Sequence, residues 1–463
     1  MSIKCDVLYI HPTKNPLSLE QPSYAIMPMG IIGILNGFRA KGVDVYGFNI
    51  AVEQHLNPEF DLTAALADIE YKVLVTDLHW YVHSFGAMYV VECSKKIKPE
   101  IPVVIGGYTS TIYPLEIMEK FSGVDYIVTG DSDLPMDMLS DYLLGRKDIA
   151  LEDIPNLVYR KGTEIVTAEK TWAESSLENI NFIDLDFCKD QDLVRYLTVN
   201  GVRLHLKKKQ WLCIARGCKF NCGYCCGSNM NMKTLFRRCN ILKCSPQKVA
   251  DDFCRLTSEI GVDQVCPSHD FEMFGEEYYK EIFAKIREKG VKPGMYLECF
   301  QLPSVEYLKD IMATFNMDET LLVISPISGS ERLRKKNGKL FTNDELYTTL
   351  QFAKENGIKI LVYYTFNLVG ETREEFMDTI FQMQYLRMNF RYVQKQILYQ
   401  SVVIDPLAPM RSFDKIKADY NTFMDYYNHC QLPNETKYYA TGYDDGGEVS
   451  PDEKLAVFES IFK

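Results

Sequence analysis

The sequence predicts an α/β protein with two parallel sheets in succession, a doubly wound sheet followed by a partial (β/α)6 barrel. Three observations lead there. Short apolar runs alternate with helix-like segments up to about residue 146, and the same alternation returns between 206 and 404. A stretch without that alternation separates the two series. The 463 residues, 46% apolar and 25% charged, are enough for two cores. Strands that alternate with helices pair in parallel through right-handed crossovers. The expected domains are 1–146, a linker at 147–205, the barrel at 206–404 and an extension at 405–463.

In the first domain, apolar strands are expected near 5–10, 43–48, 72–76, 102–105 and 125–129, five units of a doubly wound sheet. Pro28-Met29-Gly30-Ile31-Ile32-Gly33 opens the first helix, and Gly106-Gly107-Tyr108-Thr109-Ser110 ends the fourth strand. Gly123 through Asp131 carries the fifth. In the linker, residues 154–166 predict a β-hairpin that turns at Lys161-Gly162, while 167–205 carry no clear period.

The barrel series begins with the apolar run Trp211-Leu212-Cys213-Ile214-Ala215, which Arg216-Gly217 ends. Helix-like 246–260 leads to Val262–Cys266, 276–289 to Met295–Cys299, and 304–315 to Leu321–Ile324. Helix-like 343–356 leads to Ile358–Phe366, and a last helix near 372–388 precedes Gln396–Tyr399. Six such units fall short of the eight that close a full barrel, so it stays open. Beyond 405 the chain is rich in tyrosine (Tyr420, Tyr426, Tyr427, Tyr438, Tyr439, Tyr443), which is expected to form an aromatic packing layer.

Ligands of such folds sit at the carboxyl ends of the strands. Directly after the first barrel strand stands Cys218-Lys219-Phe220-Asn221-Cys222-Gly223-Tyr224-Cys225. Four-iron clusters normally take four thiolates, and three leave one iron open to a small molecule. The plainer reading is a zinc site or buried thiols among the 14 cysteines. Structural zinc wants four ligands. Adjacent Cys225 and Cys226 diverge too much to share a tetrahedron, and Cys239 and Cys244 are spaced more widely than a knuckle.

The three-Cys stretch resembles the signature of the radical S-adenosylmethionine (SAM) enzymes, which implies Cys218, Cys222 and Cys225 as ligands of a 4Fe-4S cluster. In that superfamily SAM chelates the open iron, and one electron cleaves it to methionine and a 5'-deoxyadenosyl radical that abstracts a hydrogen atom. The strand ends are similar to further elements of that family. The resemblance implies SAM contacts from Tyr224, from Asp270 in Ser268-His269-Asp270-Phe271-Glu272, and from Ser325 and Ser328 in the run 325–330 with Arg332 and Arg334 beyond. It implies Gly370 and Glu371 from Asn367-Leu368-Val369-Gly370-Glu371-Thr372. Many relatives carry Glu where Ile327 stands, so Ser325 or Ser328 is expected to meet the ribose. Taken singly, each of these residues is equally a helix cap or a turn.

The first domain resembles the cobalamin-binding domain that precedes many radical SAM cores. In that family the Gly-Gly turn passes beside the nucleotide tail, which implies Gly106, Gly107, Tyr108 and Thr109 as cobalamin contacts. The Asp-x-His-x-x-Gly loop of corrinoid mutases is absent, since His11-Pro12-Thr13 stands in its place. Asp77-Leu78-His79 mimics its first half, but after the third strand and with Val82 where glycine belongs. His79 is therefore expected to be a loop residue facing the bound group, not a metal ligand.

The implied enzyme is a cobalamin-dependent radical SAM methyltransferase acting on an unactivated carbon, working anaerobically with an electron donor such as flavodoxin or ferredoxin. In that family one SAM supplies the methyl group by way of the corrinoid and another gives the radical. The alternatives are a radical SAM enzyme of carbon-carbon bond formation, cyclisation or oxidation that lacks working cobalamin, and a noncatalytic metal or corrinoid carrier. A net charge of -12 argues against nucleic acid. Lys207-Lys208-Lys209 is an isolated run. There is no secretion signal, and no apolar run reaches about 18 residues, so a cytoplasmic protein with reduced cysteines is expected.

Overall fold

The computed structural model describes residues 3–18, 24–198, 201–202, 207–366, 368, 370–390, 394–401, 405–409, 417–418, 420–432, 443–444 and 448–462. Of the expected positions, Asn367, Val369, Tyr438 and Tyr439 lie outside these. The chain divides into two compact units. The first comprises 1–206, 233–239 and 420–435, and the second 207–232, 240–419 and 436–463.

The first unit is built on a seven-stranded sheet. Its strands are β1 (Val7–His11), β2 (Val45–Asn49), β3 (Val73–Asp77), β4 (Val103–Gly106), β5 (Tyr126–Val128), β6 (Leu157–Lys161) and β7 (Glu164–Thr167), in spatial order 2-1-3-4-5-6-7. The first five run parallel, and the hairpin β6–β7 adds two antiparallel strands at the β5 edge. The hairpin expected as a linker is thus part of the sheet. Every residue of β1 and β3 is buried, as helices on both faces of a parallel sheet require.

Residues 167–205, uninformative as sequence, supply Leu185, Phe187 and Cys188 to one of the sheet's two core clusters. Gly33 explains how this segment comes so close, because a Cβ there would lie 2.6 Å from Ile180 Cγ2 and 3.0 Å from Phe182. Phe423 of helix Phe423–Cys430 joins the other cluster. Tyr426 packs at a tilt against Tyr81, ring centres 5.0 Å apart, and Tyr427 likewise against Phe121 at 5.1 Å. These tyrosines form a packing layer on the first unit.

In the second unit, six parallel strands follow in sequence order. They are β8 (Lys209–Leu212), β9 (Gln264–Pro267), β10 (Tyr296–Cys299), β11 (Leu321–Ile327), β12 (Ile360–Phe366) and β13 (Gln394–Ser401). Strands β8 and β9 form one ladder, β10 to β13 another, and the Val265–Met295 bridge joins them. The crossover helices have the starts their sequences call for. Ser245 caps Pro246–Ser258 and Ser304 caps Val305–Thr314, while Thr342 and Thr372 form capping boxes with Glu345 and Glu375.

Candidate functional site

The three cysteines stand on the loop that leaves β8. Its ends are pinned together by the short antiparallel pair Ala215–Arg216 with Leu242–Lys243. Ser268 and His269, at the end of β9, hold its start. The Ile214 amide donates to Ser268 Oγ at 3.1 Å, and His269 Nε2 lies 2.8 Å from the Gly217 carbonyl. Inside the loop, Asn229 Nδ2 donates to the Cys218 carbonyl at 2.8 Å, and Asn231 Nδ2 to those of Cys226 and Leu407, each at 2.9 Å. Asp405 accepts from the Cys226 amide at 3.0 Å and donates its own amide to the Tyr224 carbonyl at 3.3 Å.

Cys218, Cys222 and Cys225 remain half-buried, whereas Cys226 is buried. Burial pushes all three thiols above the ordinary range. Lys339 opposes this at Cys222, and Asp405 reinforces it at Cys225. Two glycines leave room around the sulfurs, since a Cβ on Gly227 would lie 3.4 Å from Cys225 Sγ and one on Gly338 3.6 Å from Cys222 Sγ. Soft donors with cleared space beside them fit an iron–sulfur cluster. Cys244 is buried, with its thiol 3.7 Å from the Cys213 carbonyl, and Cys239 is exposed. Among the described residues no three His, Cys, Asp or Glu side chains converge on a single-ion site.

Asp270 is buried and engaged by protein. It accepts from the Glu272 amide at 3.2 Å, the Phe300 amide at 3.0 Å and the Tyr307 hydroxyl at 3.3 Å. Burial raises its carboxyl to about 6. Ser328 is wholly buried against Thr379 Oγ1 at 3.1 Å, while Ser325 is half-buried. Ile327 has φ 63°, rare for a β-branched residue, where the β11–β12 register shifts. Gly370 has φ 72°, and the Glu371 carboxylate is sealed against Lys454 at 2.6 Å. Arg332 clasps Glu375, and Arg334 is fully buried.

The sequence reading missed a polar well inside the strand array. On β10, Leu297 and Cys299 are buried, while Tyr296 is half-buried and Glu298 exposed. Tyr296 donates to Glu298 at 3.3 Å, its ring lies 6.0 Å from that of Trp211, and Lys209 Nζ lies 4.7 Å from the ring centre. Loss of water around the carboxylate outweighs Tyr296 and Lys339 and raises the Glu298 carboxyl. The period-2 alternation of β10 was the available signal. Separately, a groove of about 590 Å³ lined by Glu331, Asn343, Tyr347, Asp378 and Phe381 holds none of the cysteines.

In the first unit the strand order reverses between β1 and β3, the switch point where open sheets bind ligands. There Tyr9 donates to Asp77 at 2.6 Å and His11 Nδ1 lies 2.8 Å from the same oxygen. Burial would raise the Asp77 carboxyl, but His11, His83 and the Tyr9 hydroxyl together outweigh it and hold it below the usual range. The other oxygen, Asp77 Oδ2, is buried without a hydrogen-bond partner among the described residues. His79, half-buried, packs edge-on against Trp80 at 4.9 Å and Tyr108 at 5.9 Å. Loss of water around the ring outweighs the pull of Asp77 and lowers it to about 4, so it is neutral near pH 7.

Gly107, at φ 123°, makes room for protein backbone. A Cβ there would lie 2.7 Å from His79 N and from Leu78 C, whereas one on Gly106 would meet only Val128 O at 3.7 Å. Thr109 is buried and donates to the His79 carbonyl at 3.0 Å. His79, Trp80 and Tyr108 stand together as an aromatic group beside this switch point. The orphaned carboxylate oxygen and aromatic walls fit a large polar cofactor.

Residues 20–140 match the family described as the B12 binding domain. Over 296 residues the chain is 22% identical to an uncharacterized methyltransferase of Pyrococcus horikoshii, covering 64% of this chain. It spans 60% of that relative's length. Among solved structures, the radical SAM methyltransferase TsrM of Kitasatospora setae, with cobalamin and a [4Fe-4S] cluster bound, superposes with a TM-score of 0.64 at 14% identity, covering 94% of this chain and 83% of TsrM. OxsB, a cobalamin-dependent SAM radical enzyme with aqua-cobalamin and SAM bound, gives 0.59 at 13% identity, covering 89% and 55%. The chain shares the fold of these cobalamin-dependent radical SAM enzymes.

Proposed function

We propose that this protein is a radical SAM enzyme that uses a 4Fe-4S cluster, SAM and cobalamin to methylate an unactivated carbon. One coincidence carries the reading. A three-cysteine loop with space cleared around its sulfurs stands at the carboxyl end of the first strand of a parallel array, in a chain that also matches a B12-binding domain. The cluster ligands are Cys218, Cys222 and Cys225. When bound, cluster and SAM supply a hydrogen-abstracting radical, and cobalamin a transferable methyl group.

The chain's own residues hold, orient and exclude water. Asn229, Asn231 and Asp405 fix the loop backbone so that the three thiols keep their spacing. Neutral His79, with Trp80 and Tyr108, packs against the corrinoid. The polar well of Tyr296, Glu298 and Trp211 is suited to a substrate's polar groups. The reductant is a flavodoxin- or ferredoxin-like donor, and the setting is cytoplasmic. No described helix is long and apolar enough to cross a membrane.

The test is anaerobic reconstitution with iron, sulfide and hydroxocobalamin, followed by gel filtration with optical spectra. Cluster and corrinoid should each coelute near one per chain, with the methyl group of labelled SAM reaching product. Cluster without corrinoid would favour the cobalamin-free alternative. Cys222→Ala should lose cluster absorbance and 5'-deoxyadenosine formation while keeping the far-UV signature of the fold. Retained SAM cleavage in that variant would remove Cys222 from the ligand set.

A further inference from the structure

Glu371, on the turn after β12, is 1% exposed, and its ion-pair partner Lys454 on helix Pro451–Phe462 is 0% exposed. We infer that Lys454 is a positioning residue for the SAM site, holding the Gly370–Thr372 turn in its binding geometry, so that the carboxyl-terminal helix is a working part of that site. The inference rests on the functional reading above and on the resemblance that implies SAM contacts from this turn.

One side of the turn is tied to the end of β11. Arg332 donates to the Gly370 carbonyl at 3.0 Å and forks onto Glu375, with both nitrogens at 2.6 Å. Ser330 Oγ donates to the same carboxylate at 2.8 Å, and the Gly329 amide to Thr379 Oγ1 at 2.9 Å. The strand ends of β11 and β12 therefore form one hydrogen-bonded body. The other side is held by the chain's last helix. Lys454 meets Glu371 at 2.6 Å, Arg373 meets Glu453 at 3.0 Å, and the Arg373 amide donates to Glu448 at 3.0 Å.

These contacts differ in weight. The Arg373–Glu453 pair is solvated and contributes little. The Lys454–Glu371 pair is sealed, and losing one member leaves the other as a buried, uncompensated charge. That charge is relieved by protonation of Glu371 or by bringing it to water, and either one changes the contacts that hold the turn. The ion pair ties one helical position to one turn residue. It also turns the Glu371 side chain toward protein, so that in this inference Glu371 holds the turn and does not itself meet SAM, and the backbone at Gly370, with its positive φ, is the surface offered at the strand end.

The test uses reconstituted full-length protein in three forms: wild type, Lys454→Met, and the double variant Lys454→Met with Glu371→Met. SAM affinity is read by equilibrium dialysis, KM for SAM by reductive formation of 5'-deoxyadenosine, and cluster integrity by iron content. Lys454→Met should weaken SAM binding about tenfold or more, raising KM far more than it lowers the rate at saturating SAM, with iron content unchanged. The double variant removes both charges and should recover affinity to within about threefold of wild type, because an apolar pair often replaces a buried ion pair without loss.

Unchanged SAM affinity in Lys454→Met beside a lower melting temperature would overturn the inference and leave the enzyme assignment standing. Loss of affinity in both variants without recovery would overturn it too, by making Glu371 a direct ligand. If Lys454→Met does not fold, the double variant alone decides by its affinity. A wild-type protein that binds no SAM removes the functional reading, and this inference with it.

Discussion

Glu375 shows how much a single clasp can contribute. Burial would raise its carboxyl, but the Arg332 fork, the Thr372 backbone and the Ser330 hydroxyl outweigh burial and bring it to about 2, from an ordinary 4.5. A carboxylate depressed in the folded state stabilises above its unfolded value, and the contribution fades as pH falls through the folded one. Native protein should therefore hold about 1–3 kcal/mol above pH 4.5 that is lost toward pH 2. Arg332→Met should shift the acid unfolding midpoint upward, measured by circular dichroism across that range, with a much smaller effect near pH 2. Legibility at this scale divides along sequence distance. Cys218, Cys222 and Cys225 announce themselves through short spacing, whereas Asp405 and Lys339 reach the same loop from far along the chain. Asp270 was legible as a strand-end carboxylate. Its engagement by Phe300 and Tyr307 was not, because nothing local encodes those partners.

The two adjacent glycines that end β4 make an element-scale test. Both were expected as room for a cofactor tail, yet only Gly107 sits at positive φ against the Leu78–His79 backbone. Gly107→Ala should cost several kcal/mol, since strain and overpacking add. It should also lower corrinoid retention, because the displaced loop carries His79 and Trp80. Gly106→Ala should stay within about 1 kcal/mol, and corrinoid retention in that variant reads out whether its open side faces the bound group. Urea unfolding and corrinoid absorbance after gel filtration check both. The strands themselves were legible because parallel strands buried on both faces read as unbroken apolar runs, such as Val73-Leu74-Val75. The hairpin at 154–166 was legible as a hairpin and not as an edge of the sheet, since pairing with β5 is set by tertiary contact. Segment 177–187 was opaque for a related reason. Phe182, Leu185 and Phe187 are buried without any period, and the glycine that admits the segment stands on a helix far upstream.

At the scale of the molecule, the chain leaves the first unit and returns to it twice, for 233–239 and for 420–435. The sequence shows two alternating series and an extension, but an extension whose middle belongs to one unit and whose two ends belong to the other has no compositional mark. Phe423 is fully buried in the first unit's core, so Phe423→Ala should cost about 3–5 kcal/mol. The cofactor reading has a thermodynamic consequence as well. A ligand that binds only the folded state stabilises it by RT ln(1 + [L]/Kd), about 2.7 kcal/mol at one hundred times Kd. Hydroxocobalamin should thus raise the melting temperature of wild-type protein steadily with concentration, and should do so without iron, because Asp77, His79, Trp80 and Tyr108 all belong to one unit and the cysteine loop to the other. Asp77→Ala, which leaves the buried Tyr9 hydroxyl and His11 Nδ1 without their shared acceptor, should lower both the starting melting temperature and the increment. A melting curve indifferent to hydroxocobalamin at every concentration would mean that this unit keeps the shape of a corrinoid site without its affinity. The chemistry would then fall to the cysteine loop and SAM alone.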